Sequence, residues 1–111
     1  MYLSNTMNQI KNISPKELAP GITGHYVHGD TMTLGFVELK AGSSIPEHRH
    51  RQEQITFIVR GRLDMVIAGE ACSLTTGTYY VIPSNVPHSA VVAEDSTVID
   101  VFSPVREDYK T

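Results

Sequence analysis

From about Thr31 to Pro104 the chain is broken every eight to twelve residues or so by a turn signal, and the runs between are short and β-branched. TMTLGFVEL ends at Ala41-Gly42, QITFIVRG at Gly61, RLDMVI at Ala68-Gly69 and EACSL at Thr75-Thr76-Gly77. YYVI stops at Pro83, HSAVVA at Glu94-Asp95 and TVIDVF at Pro104. Such runs are too short for amphipathic helices, and their Val, Ile, Thr and aromatic content suits a pleated surface. The spacing therefore predicts an all-β sandwich or barrel. The 111 residues make one domain. Met1 to about Pro15 is polar and mixed, and reads as an arm or an added edge strand. Pro15 and Pro20 limit any helix there.

Composition excludes several classes of partner. The net charge is −3 and no Lys/Arg cluster occurs, so neither nucleic acid nor a membrane surface has an electrostatic footprint to meet. The single cysteine, Cys72, cannot form an internal disulfide, and reads as a small hydrophobe in a strand. The first residues lack a basic region followed by an apolar run, so a cytoplasmic protein is expected. A chain this short buries a smaller share of its surface than a large domain. ITFIV is apolar on both strand faces, so a homodimer is expected.

The segment Gly42–Gly61, GSSIPEHRHRQEQITFIVRG, carries the chemistry. His48 and His50 are two apart, so on a strand both imidazoles share a face. Gln54 opens the next apolar run, where a hairpin-like return brings it toward the same point. Its rival, Glu53, has the wrong parity. Pro46 marks a strand start or edge. His88 follows PSNVP. A His-x-His pair alone is common on surfaces. Fixed offsets of glycines, a proline and three histidines are not. His25 and His28, in GHYVHGD near a turn, read as surface residues outside this group.

These two segments resemble the paired motifs of the cupin superfamily. In the first, Gly42, His48, His50, position 54 and Gly61 match in every spacing, with Gln54 where Glu is usual. In the second, Gly77, Pro83 and His88 match, Asn85 stands in a glycine place, and Val92 replaces the usual terminal Asn. Asn tolerates a positive φ, so the turn survives. The resemblance implies an all-β single-domain jelly-roll barrel (a double-stranded β-helix) over about residues 34–109. It would hold one divalent transition metal ion per chain, Ni, Fe, Mn, Zn or Co. Gln54 would offer a neutral carbonyl oxygen, leaving the 2+ charge uncompensated and supplying no base.

A carboxylate for that role has to come from elsewhere. Asp100 lies inside the apolar run TVIDVF, alternating with Val98 and Phe102. Burying an unpaired carboxylate is unfavourable, so it is expected to face a polar lumen. Arg106 follows and could grip an anionic group with its fork, or lie solvated. HRHRQEQITFIVRGRLDMVIAGE, GTYYVIPSNVPH and VIDVFSPVRED together resemble the KdgF-type pectin-degradation cupins. That family opens 4,5-unsaturated monouronates into linear keto sugar acids. Carried onto this chain, its metal ligands are His48, His50, Gln54 and His88, and its catalytic Asp and Arg are Asp100 and Arg106. The family often has His, Tyr and Pro where Gln52, Phe57 and Val105 stand. The expected partner is a small acidic, sugar-derived substrate. The alternatives are an Fe(II)-dependent dioxygenase and a non-catalytic binding cupin.

Overall fold

The computed structural model describes residues 8–110. The N-terminal arm read from Met1 to Pro15 is therefore seen only from Asn8. It forms a 3-10 turn at Ile10–Asn12 rather than a strand, while residues 1–7 lie outside the described part. Eight antiparallel strands follow among the described residues: β1 Lys16–Ala19, β2 Ile22–His28, β3 Thr33–Leu39, β4 Ser44–His48, β5 Glu53–Ile67, β6 Glu70–Thr75, β7 Tyr79–Ile82 and β8 His88–Ser103. A 3-10 turn at Glu107–Tyr109 follows β8.

β5 and β8 organise the molecule. The sequence divided each of them in two, at Gly61 and at Glu94-Asp95, yet each runs through and bends. Beyond the bend β8 lies between β3 and β5, and before it between β4 and β5. Likewise β5 pairs first with β7 and then with β6. The outcome is two sheets, β1-β2-β3-β8-β5-β7 and β4-β8-β5-β6, that share two bent strands. The bend is local chemistry: the register slips between Ile58 and Leu63, where Gly61 has φ 105 and sits against Ser96. The Ser96 hydroxyl accepts the Arg62 N–H at 3.0 Å and donates to the Glu94 carbonyl at 2.7 Å. It takes up main-chain groups that a bulge leaves unpaired.

Alternation then decides what faces the interior. Ile22, Val37, Leu39, Ile58, Leu63, Met65, Val92, Val98 and Phe102 form the core between the sheets. Val92, at the second motif's usual Asn position, is one of these. Cys72 on β6 is half-buried against this core, as expected of a small hydrophobe. His25 and His28 lie on β2, His28 at its end just before a turn, and both are half-buried rather than on the surface. Both stay outside the site, with His25 Nδ1 on the Ile13 carbonyl and His28 Nδ1 on the Thr33 hydroxyl.

Candidate metal centre

His48 is the last residue of β4, opposite His88 at the start of β8. His50 is not on that strand. It lies in the loop between β4 and β5, so shared strand parity does not bring the two imidazoles together. The loop is held by the second motif instead. The Asn85 N–H donates to the His50 carbonyl at 2.8 Å, and the Ser84 hydroxyl donates to the Arg51 carbonyl at 2.6 Å. Asn85 has φ 62, as its place in a glycine position requires. Gln54 is on β5, 7% exposed and inward-facing, while Glu53 points outward.

The three imidazoles share one pattern. His48 Nδ1 meets the Pro46 carbonyl at 3.0 Å, His50 Nδ1 the Gln52 carbonyl at 3.0 Å, and His88 Nδ1 the Val86 carbonyl at 2.8 Å. A carbonyl only accepts, so each Nδ1 carries the proton and each Nε2 keeps a lone pair. The ligand atoms of the three lie within 4.8 Å of one another. His88 Nε2 is buried with no hydrogen-bond partner, an unfavourable state for a polar atom with nothing to bind. Burial, with the charge of Arg106, pushes His50 down to about 4, and burial also lowers His88, so both are neutral near pH 7.

Gln54 completes the argument. Its NH2 donates to the Thr56 hydroxyl at 2.8 Å and to Asp100 Oδ1 at 3.2 Å, while Thr56 donates its own proton to Asp100 Oδ1 at 2.8 Å. Those partners fix which end of the amide is oxygen. Oε1 is thereby turned to His50 Nε2 at 3.0 Å. Two acceptors facing each other at that distance repel, and a cation between them removes the conflict. The donor set of three imidazole nitrogens and one amide oxygen suits a divalent transition metal. Elemental analysis of protein purified without chelators should find about one such ion per chain. The His48→Ala/His50→Ala double variant should stay folded and carry none. Equal metal in that variant would refute the centre.

Asp100 is where alternation placed it. With Val98 and Phe102 it faces a cavity of about 450 Å³, which His48, Gln54, Thr56, His88 and Arg106 also line. Burial pushes its carboxyl up to about 6, opposed by the Thr56 and Gln54 hydrogen bonds and by the charges of Arg106 and His48. Arg106 is neither solvated nor an open fork. It is 6% exposed, and Nε and Nη2 are held by Asp108 at 3.1 and 3.0 Å. Its guanidinium lies 3.9 Å from the Tyr109 ring and 4.8 Å from Phe102. Tyr26, Phe102, Asp108 and Tyr109 all line the cavity and were not singled out by sequence. Of the three departures from the resembled family, Phe57 points away from the site, and Gln52 is buried with its NH2 on the Val105 carbonyl at 3.1 Å.

An antiparallel barrel with a three-histidine cluster beside its cavity is the architecture of a cupin, and a cupin-domain family model matches residues 35–102. The chain belongs to this family, in its KdgF-type branch. It is 33% identical over 97 residues to the pectin degradation protein KdgF of Dickeya dadantii (strain 3937), covering 85% of this chain and 88% of that protein. The solved structure of KdgF from Halomonas sp. matches with a TM-score of 0.85 at 30% identity, over 95% of this chain and 98% of that one. The H2HPP isomerase of Bacillus subtilis is 30% identical over 94 residues, 82% of this chain but only 40% of the isomerase.

Proposed function

We propose that this protein is an enzyme that opens 4,5-unsaturated monouronates to linear keto sugar acids by a proton transfer through Asp100. The observation that carries the reading is a carboxylate on the cavity wall, hydrogen-bonded to the amide of a metal-ligand candidate. Substrate and product of this ring opening are isomers. A proton leaves the anomeric hydroxyl as the ring C–O bond breaks, and a proton arrives at C4, so the site needs one group that accepts and returns a proton. Oδ1 of Asp100 is engaged by Thr56 and Gln54, which leaves Oδ2 for that exchange. An acidity near 6 makes both protonation states accessible near neutral pH. Arg106, with its plane held by Phe102 and Tyr109, adds positive charge to the wall on which a substrate carboxylate lies. His48, His50, Gln54 and His88 would hold a divalent ion, which when bound would supply Lewis-acid polarisation of a substrate oxygen. The pectin-degradation relative supports the substrate class, and the isomerase relative supports a reaction that neither adds nor removes atoms.

The test is the ultraviolet absorbance of the conjugated double bond. Metal-loaded protein should abolish it many-fold faster than buffer does. No acceleration with Ni, Fe, Mn, Zn or Co would sink the uronate assignment. Oxygen uptake by the iron form would replace it with a dioxygenase.

We also propose a cytoplasmic homodimer built on the outer face of β3, β8, β5 and β7. Ile55 pairs with Val81 and Val101, and Phe57, 38% exposed, pairs with Tyr79 and Ile99. With Leu34 and Val59 they form a continuous apolar surface that is unfavourable to leave in water. Light scattering at micromolar concentration should give about twice the 12.3 kDa chain mass. Phe57→Glu should halve it, and a monomeric wild type would refute the dimer.

A further inference from the structure

Tyr26 lies on the inner face of β2 in one cross-strand row with Gly35 and Asp100. Strands about 4.8 Å apart put its backbone about 10 Å from that of Asp100. Its ring rests on glycine on both sides. A Cβ at Gly24 would fall 2.5 Å from Cε2 and 2.6 Å from the hydroxyl, and one at Gly35 would fall 2.5 Å from Cε1. Any side chain at either place would evict the ring. Tyr109 packs on it with ring centres 4.6 Å apart. The residue is 7% exposed and lines the cavity. Among the described residues its hydroxyl has no hydrogen-bond partner. The hydroxyl is not sealed inside the protein as His88 Nε2 is, so a phenol fixed on two glycines with no protein partner presents a donor to the cavity, where a ligand can take it.

We propose that the Tyr26 hydroxyl is a substrate-binding group that donates a hydrogen bond to a ring hydroxyl of the bound sugar acid. The inference rests on the uronate reading and extends it, since neither the metal ligands nor Asp100 explain how the ring's own hydroxyls are recognised. Burial, with the nearby Tyr109 and Asp100, raises the phenol's ionisation above its usual range, so it remains a neutral donor. A sugar acid between Asp100 and Tyr26 meets a proton-exchanging group at one end and a fixed donor at the other. An acid without ring hydroxyls leaves the donor unpaired, which is how such a group discriminates.

Tyr26→Phe keeps the ring on its glycines and removes only the hydroxyl. The probes are D-galacturonate, a saturated analogue that cannot undergo the reaction, and its monodeoxy derivatives, titrated calorimetrically into metal-loaded protein. The variant should retain its metal and thermal midpoint and bind galacturonate roughly 10-fold more weakly. One deoxy derivative should bind wild type as weakly as galacturonate binds the variant, and should lose nothing further in the variant. A merely structural role for Tyr26 would weaken all the probes alike. Equal galacturonate affinity in wild type and variant overturns the proposal, as does no measurable binding to wild type. Turnover of the unsaturated substrate is scored separately. Turnover unaffected by Tyr26→Phe defeats this inference alone, and Tyr26-dependent binding without turnover defeats only the reaction.

Discussion

Asp100→Asn is expected to bind its metal normally and to lose turnover of unsaturated galacturonate or guluronate by about 10²–10⁴-fold, the usual worth of a positioned acid or base. The amide oxygen can take the place of Oδ1, accepting from Thr56 and from the Gln54 NH2, so the Gln54 oxygen stays turned to the imidazoles. What disappears is a group able to accept and return a proton. Neither Gln54 nor Thr56 replaces it, because an amide and an alcohol titrate far from neutrality. Arg106 is held protonated and paired with Asp108. Elemental analysis alongside the ultraviolet assay separates the outcomes. Lost turnover with metal retained supports the role of Asp100. A variant as active as wild type removes that role while leaving the reaction class standing.

The three histidines that come together could be picked out of the sequence by their fixed offsets from glycines and a proline. Gln54 faces inward on β5 and Glu53 outward, although the histidines it was compared with are not on that strand, and Asn85 took the positive φ its position demanded. Asp100 followed from the unfavourable burial of a charge in an apolar strand. His50 reached the site by another route. It sits on a loop pinned by Asn85 and Ser84, which are 35 and 33 residues further along than the groups they hold, and no local period records such pairings. Arg106 shows the same limit. Its partner Asp108 is only two residues away, but that proximity does not reveal that the tail turns at Glu107–Tyr109 and seats the guanidinium on Tyr109. Tyr26 was hidden for a different reason. β2 carries a glycine and two histidines and is flanked by Gly21 and Gly29, so the stretch reads as a turn, whereas Gly24 on β2 and Gly35 on β3 together form the seat of the ring. A glycine in a strand interior marks a close approach of another group, and that was the available signal.

The bend shared by β5 and β8 is the most sensitive point of the fold, and Gly61→Ala should destabilise the protein by roughly 2–6 kcal/mol. Two independent causes meet at this residue. Its φ of 105 is a conformation that a side chain makes unfavourable. A Cβ there would also lie 2.6 Å from both Cα and Cβ of Ser96, with the Ser96 hydroxyl closer still. Backbone cannot give way as a flexible side chain can. Relief requires β5 and β8 to part where Ser96 serves the Arg62 N–H and the Glu94 carbonyl. The site would feel the change, since Gln54 and Asp100 lie on one side of the bend and His88 on the other. Gly69→Ala provides the comparison. It shares a positive φ of 81 but has nothing within 4 Å of its added Cβ, so it should show only the conformational part, about 1 kcal/mol. Urea unfolding of the chelated proteins measures both without a contribution from bound metal. If the two alanine variants unfold at the same midpoint, the close approach of Ser96 does not hold the bend, and the angle between the sheets has another origin.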